Sequence, residues 1–191
     1  MKKSSIAVTI TLLTIIVGIV AFYAILTGKA KTEAEKALMT PVQMALNRDL
    51  SRDYPATVKE VVKYYTELEK CLYNETCTDE EQEALLMQSR ELFDDELKDN
   101  NQVGVFLQNS KQDIQDFREA KRRINSIAVA ASTNVDYFTE DKNEFARIYC
   151  GYSILDNAKS VLEGRVFLLR RDADRHWRIY GWANANEVNP Q

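Results

Sequence analysis

The chain has 191 residues, 25 basic and 29 acidic side chains, and a formal net charge of −4. Lys2 and Lys3 precede the one long apolar stretch and no acidic residue does, so the remainder is more acidic still, which argues against nucleic acid as a partner. Three prolines, six glycines and no low-complexity tract argue against a disordered stalk, and three cysteines are too few for a disulfide framework.

The first element runs from Ile6 to Leu26 (IAVTITLLTIIVGIVAFYAIL) and carries no charge. Some twenty apolar residues span roughly 30 Å as a helix, the hydrocarbon thickness of a bilayer. A cleaved signal peptide has an apolar core of only about 7–15 residues, so a retained single-pass anchor in the lipid bilayer is expected. Positive charge flanks both ends, and counting it barely discriminates orientation. The short N-terminal layout resembles an uncleaved export signal and places the C-terminal domain outside the cell membrane. Thr14, Gly18 and Ala21 share one helix face, a spacing suited to helix packing but common in any apolar helix.

The expected organisation is a tail over 1–5, a transmembrane helix over 6–27, a juxtamembrane helix and linker over 28–56, a soluble domain over 57–186 and a tail over 187–191. Pro41 should kink or interrupt the juxtamembrane helix. Thr57 with Glu60, and Thr78 with Glu81, spell two capping boxes. Val58, Val61, Val62, Tyr65, Leu68 and Leu72 form the apolar face of the first helix, and Leu85, Leu92, Phe93 and Leu97 that of the second. A further helix is expected over about 110–124, with Lys121, Arg122 and Arg123 complementing its C-terminal dipole. The acidic groups at 80–83 and 94–96 read as solvated helix faces.

After Asn125 the pattern becomes strand-like over 126–138, 145–155, 161–171 and 176–183, with Gly151, Gly164 and Gly181 as candidate bend or bulge positions. The fold class is therefore α+β, with three or four helices packed on a curved, four-stranded antiparallel sheet. Helices followed by such a sheet, closing on RRDADRHWRIYGW, resemble the cone-shaped nuclear-transport-factor-two-like superfamily over about residues 57–183. With a membrane helix in front, the layout is similar to small envelope proteins of Gram-positive bacteria and distantly to inner-membrane assembly components of type IV secretion. That superfamily holds enzymes, ligand binders and scaffolds, so the resemblance does not fix a function.

No P-loop, dinucleotide turn, HExxH or Cys-x-x-Cys is present, and neither a cofactor nor a metal site is expected. His176, the single histidine, adjoins a turn and reads as an exposed residue, while Asp136 and Asp156 could serve as bases only if desolvated. Asp172, Asp174 and His176 fit a polar hairpin turn. Cys71 and Cys77 either close a short loop in an oxidising compartment or stay separate thiols, and Cys150 reads as a small buried hydrophobe. Asn74-Glu75-Thr76 matches the glycosylation triplet, a pattern that recurs by chance. Tyr149, Tyr152, Tyr180 and Trp182 are the binding candidates, for a ligand cleft or for a protein partner or second copy. A non-catalytic, membrane-anchored interaction domain serving envelope assembly or a secretion-like complex is the first functional expectation. A tethered small-molecule binder or enzyme is the second. A deep cavity holding an inward-facing carboxylate would favour the second, and a filled cone the first.

Overall fold

A computed structural model describes residues 39–157 and 159–188. The apolar stretch from Ile6 to Leu26, with Thr14, Gly18 and Ala21, lies outside them. Among the described residues no helix is long and apolar enough to cross a membrane.

The described chain is α+β. Helix α1 (Pro41–Leu46) starts at Pro41, where a missing N–H costs nothing because the first helical turn leaves its donors unpaired anyway. Helix α2 (Val58–Asn74) opens on the Thr57/Glu60 capping box and α3 (Asp79–Arg90) on the Thr78/Glu81 box, both complete. The second predicted helix does not run on to Leu97. It stops at Arg90, and α4 (Asp95–Asn100) restarts with Asp94 as N-cap. Between them Leu92 and Asp94 bond to both sides of Ile179, at 2.8 Å each, and cover part of the sheet's edge. Helix α5 (Val103–Glu119) begins and ends earlier than the 110–124 pattern implies. Lys121 turns the chain with φ 56°, so Arg122 and Arg123 belong to a strand and cap no helix.

The sheet has five antiparallel strands rather than four: β1 (Arg122–Val129), β2 (Asp136–Glu140), β3 (Asn143–Asp156), β4 (Lys159–Arg171) and β5 (Trp177–Asn184). The segment read as one strand over 126–138 is interrupted by a short 3-10 turn, Ser132–Asn134. Both of its halves pair with the long β3, β1 along Cys150–Asp156 and β2 along Asn143–Arg147, followed by β4 and β5 in order. A short helix α6 (Ala185–Val188) follows β5. Gly151 and Gly164 stand directly opposite each other. A Cβ on Gly164 would come within 3.0 Å of the Ala185 Cβ, so its bareness lets α6 close on β4.

The helices bury one face of the sheet. Val58, Val61, Val62, Leu68 and Leu72 of α2 meet Ile148, Ile154, Phe167, Leu169 and Ile179, all nearly inaccessible to water. Strand β1 is tied to α2 by one side chain. Asn74 donates to the Ile124 carbonyl at 2.7 Å and accepts from its N–H at 2.9 Å, pairing with that backbone as a neighbouring strand would. Asn74→Ala is expected to cost about 1–3 kcal/mol, because a part-buried donor and acceptor lose their partners together. Urea denaturation measures this, and a loss below a few tenths of a kcal/mol would mean that water replaces the amide.

Candidate functional site

Alternation decides which strand side chains face the helices. Tyr152 and Trp182 do, since Cys150 pairs with Arg165, Tyr152 with Glu163 and Phe167 with Trp182 on that side. Tyr149, opposite Val166, lies on the other face and is exposed. Tyr180 would share parity with Trp182, but β5 slips register between Gly181 and Ile179 and Tyr180 is the extra residue. Its ring packs edge-on against Phe145, 5.7 Å away, and its hydroxyl donates to Glu96 at 2.9 Å. The four aromatic candidates therefore do not form one patch. Two line the helix-covered side, one the opposite face, and one joins a polar cluster at the sheet's end.

On the helix-covered side a cleft opens between α5 and β4–β5, with α2 as its floor. It has two lobes, of about 440 and 340 Å3, and Tyr73, Asp113 and Arg165 border both. Tyr65, Tyr73, Phe106 and Trp182 supply aromatic surface to the larger lobe. Trp182, 41% exposed, stands at its mouth, while Tyr65 is buried behind it with ring centroids 5.6 Å apart. Arg122 edges the smaller lobe, where it donates to Glu163 at 2.7 Å and lies 5.0 Å over the Phe117 ring.

The floor is polar. Glu69, only 7% exposed, accepts from the Tyr152 hydroxyl at 2.6 Å through one oxygen and from Arg165 at 2.8 Å through the other. The Arg165 guanidinium in turn lies 4.3 Å over the Tyr152 ring. Burial lifts the Glu69 carboxyl above its ordinary range against the opposing pull of Arg165, and burial likewise raises the Tyr152 hydroxyl. Sequence reasoning missed this group, although a signal existed. Val62, Tyr65, Glu69 and Leu72 follow one helical face, so Glu69 interrupts an apolar stripe; Arg165 likewise shares parity with buried Phe167 and Leu169. Charges at inward positions seek each other because an unpaired buried charge is costly.

The remaining polar candidates are structural. Asp94, read as part of a solvated face, is 4% exposed: it caps α4 and pairs with Arg170, which also reaches Glu96 at 3.2 Å. Asp136 is exposed on a strand near Arg147, and Asp156 lies 3.6 Å from Arg122, so neither is a desolvated base. Cys71, Cys77 and Cys150 are free thiols, and burial pushes Cys71 up to about 11 and Cys150 up to about 12, which keeps both unreactive. Among the described residues, no three His, Cys, Asp or Glu side chains converge to hold a metal ion.

Asp172 anchors the β4–β5 turn by accepting from the His176 N–H and from Arg178, each at 2.7 Å. His176 is half-buried rather than a free turn residue. Its ring lies 4.5 Å from that of Tyr54, whose hydroxyl donates to the Trp177 carbonyl. Burial would raise the Asp172 carboxyl, but the hydrogen bonds from Arg178 and His176 outweigh it and hold the group below its usual 3.8. A carboxyl lowered by folding stabilises above its unfolded value and loses that contribution as pH falls through the folded one. Asp172→Asn should therefore cost up to about 1 kcal/mol at neutral pH, and the gap to the parent should close below about pH 3.8. Urea midpoints measured across pH 2–7 check it; a gap constant with pH would assign the loss to geometry alone.

Residues 1–182 match the model of a family described as a domain of unknown function, DUF6715. The chain belongs to that family. A search among curated proteins finds no match to this DUF6715 chain.

Proposed function

We propose that this protein is a single-pass membrane-anchored domain that binds a small molecule in the cleft between α5 and the sheet, presented outside the cell membrane. One observation carries the reading: an aromatic-walled cleft closes on a buried carboxylate, Glu69, held by Tyr152 and Arg165. Small-molecule sites are typically concave and largely apolar, with a few fixed polar groups, at volumes of about 300–1,000 Å3. The length of the stretch from Ile6 to Leu26 supports the anchor. The helices gathered on one sheet face, with a cleft beneath them, support kinship with the cone-shaped superfamily. Binding rather than catalysis is the assignment, because Glu69 is held by Tyr152 at one oxygen and by Arg165 at the other, an arrangement that fixes the floor of the cleft rather than presenting a base to a substrate.

A scaffold role in envelope assembly or a secretion-like complex draws on a different surface. Tyr149 and Leu162, the latter 83% exposed, lie on the sheet face opposite the cleft and offer apolar area to a protein partner or second copy.

The test is a thermal-shift screen of metabolite-sized compounds on the full-length chain, repeated on Ser110→Trp, which fills the cleft, and on Leu162→Ser, which does not. A ligand at one hundred times its Kd stabilises by about 2.7 kcal/mol. Shifts lost in Ser110→Trp and kept in Leu162→Ser are expected. Shifts that survive the filled cleft, or a screen without any, would overturn the reading.

A further inference from the structure

We infer that the cleft selects an organic cation, a primary or quaternary ammonium joined to a flat apolar body. The inference rests on the ligand-binding reading and goes beyond it to the class of ligand.

Charges face the larger lobe from several walls, and negative ones outnumber positive. Glu69 contributes one negative charge from α2, Asp113 one from α5 and Glu187 one from α6. Arg165 is the single cation there, and its guanidinium is occupied by Glu69 at 2.8 Å and by the Tyr152 ring at 4.3 Å. The paired charges cancel and leave Asp113 and Glu187, both exposed, as the net field of the lobe. Glu187 is fixed by Asn184, which donates to it at 3.0 Å. Asp113 also borders the smaller lobe, where Asp116 and Glu163 add to it and Arg122 is bound to Glu163. Neither lobe offers an unengaged cation to an anionic ligand.

The aromatic lining points the same way. Ring faces attract cations through their quadrupole, best when water is excluded, and indole is the strongest of them. Trp182 at the mouth and Tyr73 beside Asp113 can take a charged nitrogen, while Phe106 and Tyr65 bound the apolar part of the lobe. A volume of about 440 Å3 suits a ring with a short charged arm.

Two probes of similar shape and opposite charge test this: 2-phenylethylamine and 3-phenylpropionate. Each is titrated into full-length Trp177→Phe protein, in which Trp182 is the only tryptophan, at about 50 mM and again at 500 mM salt, with Trp182 fluorescence as the readout. The amine is expected to bind about tenfold more tightly than the acid at low salt, the preference shrinking at high salt as exposed charges are screened. Asp113→Asn should cut the preference by about threefold and leave the fold intact by circular dichroism. Equal binding of both probes, or tighter binding of the acid, overturns the charge inference while leaving the cleft a binding site. Saturable binding by neither probe also overturns it, and the compound screen with Ser110→Trp then decides the broader reading.

Discussion

Replacing Glu69 by Ala is expected to destabilise the domain by about 3–5 kcal/mol, the range for removing one partner of a buried ion pair. The loss has three parts. Arg165, which passes under the cleft, keeps its charge without the carboxylate 2.8 Å away. The Tyr152 hydroxyl, on a ring 1% exposed, loses its acceptor at 2.6 Å. A gap also opens in the apolar face of α2. A double replacement, Glu69→Leu with Arg165→Met, removes both charges and leaves no orphan except the hydroxyl, which Tyr152→Phe then removes. The double variant should therefore be more stable than Glu69→Leu alone, with a coupling of about 2 kcal/mol or more between Glu69→Leu and Arg165→Met. Urea denaturation of the four members of the cycle measures it. Additive losses would show that the two side chains act independently.

The same carboxyl has a pH signature opposite to that of Asp172. Burial raises Glu69 above its ordinary 4.5, so the folded domain binds that proton more tightly than the unfolded chain does. Its contribution is fully present below pH 4.5 and is lost as the pH rises through the folded value. Removing the cation in Arg165→Met deepens this dependence, and Glu69→Gln abolishes it.

The sequence showed local rules clearly and long-range pairing poorly. Thr57 with Glu60 and Thr78 with Glu81 are readable because a capping box is closed within four residues, and both form as spelled. The break between β1 and β2 falls in AAST, with no glycine or proline to mark it, so two strands read as one. The stripe Leu85, Leu92, Phe93, Leu97 reads as a single helix because its spacing survives the interruption. What ends α3 is a tertiary event, the pairing of Leu92 and Asp94 with Ile179 some 85 residues away. The same limit governs the aromatic candidates. A slip of one residue at Tyr180 turns that ring away from Trp182, and nothing in the local pattern announces a bulge. Glu69 and Arg165 were visible only as charges at inward positions. Their partnership needed the register of β3 on β4 and the docking of α2 over both.

Phe167→Ala should cost about 3–5 kcal/mol, the range for emptying a fully buried aromatic site. Phe167 is 0% exposed and lies opposite Ile148 on β3 and Trp182 on β5. Its ring meets Tyr65 edge-on at 5.7 Å and Trp182 at 6.2 Å, so it is the strut behind the aromatic wall of the cleft. A cavity there weakens the core and also frees Trp182 to move, and two readouts separate these effects. Denaturation gives the stability loss, which should dwarf that of Leu162→Ala on the exposed opposite face, expected within about 0.5 kcal/mol. Trp182 emission in the Trp177→Phe background gives the wall, and a shift toward longer wavelength in Phe167→Ala is the expected sign of added water contact. A large stability loss with unchanged emission would mean that Tyr65 and Phe93, at 5.6 and 5.7 Å from the indole, hold the wall without Phe167. The wall would then be held by α2 and the segment between α3 and α4, and the residues to vary for ligand preference would be those of α2 and α5 rather than the strands.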